Sequence, residues 1–172
     1  MPGARLLDTT LATYSYAVCN QVVAANSTDV IQLQGVNLKS VKVRYIQVGG
    51  SMAAGSPRTQ MVQIVRRANP STVGTPVVVP VPDSSDPPAA APLLQFFATA
   101  ATPGSPAFVI DQLTFGLVAA GAIQDRAVFN YEQFTEKGVT LNNSGEYLSI
   151  GLAQIPTTGN DRFGFSIWWT EQ

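Results

Sequence analysis

Three stretches of this chain put apolar side chains at every second position, which commits them to strands with one buried face. Val41, Val43 and Tyr45 alternate with Lys42 and Arg44, and the phase slips at Tyr45-Ile46, which points to a bulge. Leu148, Ile150 and Leu152 alternate with Ser149 and Gly151. Near the C-terminus Phe163, Phe165, Ile167 and Trp169 share one face, and Arg162, Gly164, Ser166, Trp168 and Thr170 share the other. Trp168 and Trp169 therefore point to opposite faces of one strand, one into the core and the other onto a second sheet or an interface. No window holds apolar residues at helical spacing over three turns.

Turn clusters punctuate the chain, among them Asn69-Pro70-Ser71-Thr72-Val73-Gly74, Thr102-Pro103-Gly104-Ser105-Pro106 and Asn142-Asn143-Ser144-Gly145. Between them lie strand candidates at 15–24, 29–34, 39–48, 59–67, 75–81, 93–99, 107–118, 126–131, 138–141, 146–154 and 162–170. Short strands at regular spacing predict an all-β fold: an antiparallel, jelly-roll-like β-sandwich with an extended N-terminal arm and a proline-rich loop. Residues 1–14 read as the arm and 15–172 as one domain, long enough to bury a core without disulfides. The stretch Thr59–Thr99 reads as strand, stiff arm and strand. Its proline segment, Val79-Pro80-Val81-Pro82-Asp83-Ser84-Ser85-Asp86-Pro87-Pro88, has room for one helical turn within 82–92.

Charged residues are only 12% of the 172 positions against 45% hydrophobic, so the surface must be polar but uncharged, or covered by copies of the chain. The net charge is −1 and there is no basic block, so no electrostatic footprint for nucleic acid is present. No apolar run approaches the ~20 residues a membrane helix needs, and the N-terminus lacks the hydrophobic region of a signal peptide. The expected location is the cytoplasm, or a larger particle that carries the protein out.

Histidine is absent, which removes Ser-His-Asp triads, Cys-His pairs and imidazole metal sites. Cys19 is the single cysteine and reads as a buried thiol. Glu132 and Glu136 read as a solvated loop rather than a catalytic carboxylate pair. Asp83 and Asp86 have oxygen donors for a hard cation, but turn capping explains them more simply. Gly49-Gly50-Ser51 lacks the ending of a phosphate loop and reads as a hairpin tip. The sequons at Asn26 and Asn142 come with no export signal. Arg66 and Arg67 end a strand and read as solvent-facing, or as partners for a neighbouring subunit. Leu6, Leu7 and Leu11 would be better placed on a neighbour than left in water. No catalytic, cofactor or metal residue emerges, and no enzyme is expected.

The run Val62-Gln63-Ile64-Val65-Arg66-Arg67, a Ser/Thr/Gly turn, and Val79-Pro80-Val81-Pro82-Asp83-Ser84-Ser85-Asp86-Pro87-Pro88-Ala89-Ala90 resembles a family of small structural proteins of tailed bacteriophages and prophages. The aromatic strand and turn within Leu94–Pro106 and the closing Trp169-Thr170-Glu171 fit the same pattern, so the resemblance spans residues 40–172. Pro82 stands where that family often has histidine. The resemblance implies a virion β-sandwich without catalytic residues. The expected role is a capsid decoration (cement) protein, a homotrimer on the outer surface of a phage head that binds the major capsid protein, not nucleic acid or membrane. The alternative is a tail, baseplate or host-glycan-binding adhesion protein, with Tyr131, Phe134, Tyr147 and Trp168 as its aromatic candidates. Interface candidates are Leu6, Leu7, Leu11, Arg66, Arg67, Pro82, Asp83, Asp86, Pro87 and Trp168.

Overall fold

Strand alternation is realised most completely at the C-terminal end of the chain. In the computed structural model Phe163, Phe165, Ile167 and Trp169 are buried, while Arg162 and Trp168 face out. The structure describes residues 12–24, 28–53, 57–81, 84–119, 125–131, 139–153 and 161–172. Along these run β1 (Ala12–Val22), β2 (Asp29–Gln34), β3 (Val41–Met52), β4 (Arg58–Arg67), β5 (Thr75–Val77), β6 (Leu93–Gln95), β7 (Pro106–Ala119), β8 (Arg126–Asn130), β9 (Val139–Leu141), β10 (Tyr147–Leu152) and β11 (Arg162–Glu171).

The pairings make two sheets. Sheet A runs β1-β11-β3, with β8 and β9 end to end along the far edge of β3. Sheet B runs β7-β4-β10-β2-β6-β5. They join at one corner, where Ser51 and Met52 of β3 pair in parallel with Val118 and Ala119 of β7. Removing the β5–β6 hairpin leaves β1-β11-β3-β8/β9 facing β2-β10-β4-β7, with the chain passing between sheets at most connections. That is the winding of a jelly roll. The two inner faces share one core, in which Trp169 stacks on Tyr14 at 5.8 Å and Phe165 on Phe97 at 5.4 Å.

The β4–β7 connection is an excursion that closes one side of the sandwich. Its hairpin adds β6 and β5 beyond β2, so β5 becomes the sheet edge, three residues long and carrying Pro76, which cannot donate to a further strand. Between Pro87 and Gln95 the excursion is tied by side chains to sheet A. Tyr14 donates its hydroxyl to the Pro87 carbonyl at 2.8 Å, and Tyr16 donates to Gln95 Oε1 at 2.9 Å. The buried Glu171 carboxylate accepts the amides of Ala90 and Ala91 and the Trp169 indole N–H, and pairs with Lys39. Burial, then the carboxylates of Glu171 and Asp86, push the Tyr14 hydroxyl pKa above its ordinary value.

Several expectations change here. Residues 12–14, read as arm, form the start of β1. Gly49-Gly50-Ser51 is not a hairpin tip: β3 continues through it, paired with Arg162–Gly164 of β11. The glycine is needed for packing, since a Cβ on Gly50 would come within 2.9 Å of both the Arg162 carbonyl and the Phe163 ring. The phase slip is a bulge at Arg44, between the pairs Trp168–Tyr45 and Trp169–Val43. Residues 84–92 contain a turn but no helix.

Candidate interaction surfaces

Three features stand out from the inner core: a buried polar cluster, an uncovered strand edge and an open sheet face.

The polar cluster lies on the outer side of sheet B. Alternation turns Gln32 of β2, Ser149 of β10 and Arg67 of β4 away from the core, yet they are not in water. The two limbs of the excursion fold over them. Asp29 accepts Arg67 Nε at 3.1 Å and Nη2 at 2.5 Å, a two-pronged pair, and the Ser71 hydroxyl at 2.6 Å. Gln32 accepts the Ser71 amide and donates to the hydroxyls of Ser71 and Ser149. Arg67 also donates to the Gly104 carbonyl, and the Gly104 amide donates to Ser71. A Cβ on Gly104 would sit 1.9 Å from the Asn69 carbonyl oxygen, so only glycine lets the limbs approach this closely. Every polar group here has a partner within the cluster, so it clamps the excursion rather than waiting for a ligand.

Arg67 is thus not the solvent-facing residue read from the sequence; it is largely buried and engaged inside the chain. Arg66 is paired within the chain too, with Glu146 at 2.5 Å. Asp86 and Pro87 lie in the excursion beside Tyr14. Leu6, Leu7, Leu11, Pro82, Asp83, Glu132, Phe134 and Glu136 lie outside the described residues. The aromatic candidates do not converge: Tyr147 is on sheet B, Trp168 faces outward from sheet A, and burial pushes the Tyr131 hydroxyl pKa well up.

The uncovered edge belongs to β7. One side of this strand pairs with β4; on the other, among the described residues, only Val118 and Ala119 have a strand partner. Phe108 is 54% exposed and Val109 48%. Leu113, on the same face as the buried Phe115 and Leu117, is still 39% exposed, so the core itself opens at this edge. The strand has no proline after Pro106; its register against β4 breaks twice, and its one charged residue, Asp111, has the parity of the core-facing Leu113, Phe115 and Leu117, so a further strand could add along only part of its length.

The open face is the outer side of sheet A. Its register builds two rows across four strands, Ser15–Trp168–Tyr45–Asn130 and Ala17–Ser166–Gln47–Val128, and then one across three, Gly164–Gly49–Arg126. Trp168 is 51% exposed and lies 5.8 Å from the Tyr45 ring. Past this aromatic end the two glycines drop the surface into a half-open groove of about 430 Å³, with Arg162 and Cys19 on its walls. Cys19 sits where β1 bulges against β11, with Asn20 at φ 60°, and is exposed, contrary to the buried thiol expected from sequence. Native protein should therefore give one equivalent of thiol with Ellman's reagent before any denaturant is added. A thiol that reacts only after unfolding would contradict this placement.

Among the described residues, no three side chains of the histidine, cysteine, aspartate or glutamate type come together in a way that could hold a metal. No helix among the described residues is long and apolar enough to cross a membrane. Compared with models of protein families, with curated proteins and with solved structures, the chain matches none.

Proposed function

We propose that the protein is a structural component of a virion, a capsid decoration protein that binds the outer surface of a phage head as a homotrimer and stabilises the contacts between capsomers. The observation that carries this reading is the β7 edge. A fold that blunts one margin with β5 and Pro76, and clamps its longest connection with buried charge, leaves Phe108, Val109 and Leu113 in water along the opposite margin. Exposed apolar side chains beside unpaired strand backbone form a surface for another polypeptide. A sparsely charged protein associates by shape and apolar burial, which salt hardly screens. Three copies on a symmetric shell would multiply a modest contact by multivalency. The resemblance of Val62–Ala90 to small structural proteins of tailed phages supports the same reading.

The test has two arms. Light scattering on purified protein should give three times the chain mass, and Phe108→Asp with Val109→Asp should return the monomer while leaving the melting temperature nearly unchanged. Particles lacking the protein should bind it and then withstand more heat before releasing DNA. A wild-type monomer at every concentration, or particles that neither bind it nor gain resistance, would overturn the proposal.

A further inference from the structure

We infer that the outer face of sheet A is a binding site for an acidic oligosaccharide. The backbone N–H and C=O groups of a sheet face are already used in the ladder, so a ligand lying on it is recognised by side chains alone. Here they fall in an order that suits a chain of sugar rings. Trp168, half exposed and tilted against Tyr45, presents an aromatic surface on which a pyranose can stack. Tyr45 donates to Gln47 Oε1 at 2.7 Å, which fixes that amide and leaves its nitrogen to donate to a sugar oxygen. Beyond it Gly49 and Gly164 open the groove in which further rings can lie.

The charge on this face selects the ligand's sign. Its outward strand positions carry Arg126 and Arg162 at one end, both exposed and in no ion pair among the described residues, and Lys42 at the other, and no carboxylate shares those positions. The acids beside the two arginines in the chain are engaged elsewhere: Asp125 accepts the amides of Gly116 and Arg126, and the buried Asp161 pairs with Arg58. In a chain of net charge −1 this is a local excess of cation, with its two arginines at the far end of the groove from the tryptophan. From Trp168 to Arg162 is six residues of β11, roughly 20 Å at about 3.3 Å per residue, a span that calls for several rings. Two arginines are too few to track a nucleic-acid backbone, which needs a positive groove along its length. The site is separate from the β7 edge, so it stands or falls independently of the assembly proposal.

Tetra- to hexasaccharides containing glucuronic, galacturonic or sialic acid are the probes, with carboxyl-reduced versions and oligothymidylate as controls. Binding should be saturable and should change tryptophan emission through the exposed Trp168, since Trp169 is buried. Trp168→Ala should weaken it about ten-fold or more, as expected for loss of one stacked ring. Arg162→Gln should weaken binding of the acidic sugar while leaving the reduced one nearly unchanged. Both positions are exposed, and unchanged melting curves will show that the variants are folded. No saturable binding by any acidic sugar, wild-type affinity in Trp168→Ala, or tighter binding of oligothymidylate would each overturn the site.

Discussion

Asp29→Ala should lower the stability of the protein by about 3–5 kcal/mol, the usual cost of stranding one member of a buried ion pair. For a domain of this size that is a fall in melting temperature on the order of 10 °C. The reason is local. Asp29 is fully buried and holds two nitrogens of Arg67 and the Ser71 hydroxyl, so its removal leaves a guanidinium and a hydroxyl without their acceptor. The charge matters more than the volume: Asp29→Leu combined with Arg67→Met should recover most of the loss, because neither charge is then left alone. Thermal melts of both single variants and the pair give the coupling energy directly. Two single variants whose losses merely add would mean that Asp29 and Arg67 are not energetically linked. Hydrogen exchange supplies a second reading, since the Ser71 amide bonded to Gln32 should lose protection in Asp29→Ala.

Glu171→Ala should have an effect of similar size through a different mechanism. One carboxylate takes the amide of the exposed Ala90 and two buried donors, the Ala91 amide and the Trp169 indole N–H, and each buried donor left without an acceptor costs about 1–3 kcal/mol. The total expected loss is about 3–5 kcal/mol, with Trp169 freed to shift against Tyr14. Glu171→Gln keeps an acceptor oxygen and gives up the Lys39 pair and one charge-assisted bond, so it should lose clearly less. A melt in which Glu171→Gln is as unstable as Glu171→Ala would show that charge, rather than acceptor geometry, holds the excursion to sheet A.

The approximate positions of the strands along the chain were legible in the sequence because β-branched and aromatic runs alternate and the turns are rich in Gly, Pro, Asn and Ser; their order in the sheets was not. The face of each tryptophan followed from parity alone, and the bulge in β3 from a broken alternation. What the residues could not convey was partnership at long range. Arg66-Arg67 looks the same whether water, a neighbour or Asp29 receives it; the choice depends on the excursion folding back over the outside of sheet B. Gly49-Gly50-Ser51 has the composition of a turn, yet its glycines answer to the Phe163 ring and to a flat groove on the opposite side. Cys19 is small and apolar enough to be buried, yet it has the outward parity of Thr13, Ser15 and Ala17, on the face of sheet A that stays open. The sheet A face was half visible, in Trp168. Arg162 shared its face by parity, whereas Tyr45 and Gln47 joined it only through the register of β3 against β11.

The position of β11 has a consequence for how the molecule comes into being. It lies between β1 and β3, so sheet A lacks its middle until the latest-made of the described strands is available. Throughout synthesis β1 and β3 each offer a bare margin, and Tyr14 has nothing to stack on. Closure therefore waits for pairing between segments near opposite ends of the chain, a slow kind of search that leaves strand margins open to neighbouring copies. On a ribosome the nascent protein should remain protease-sensitive until Arg162–Glu171 has emerged, and then become resistant in a single step rather than sheet by sheet.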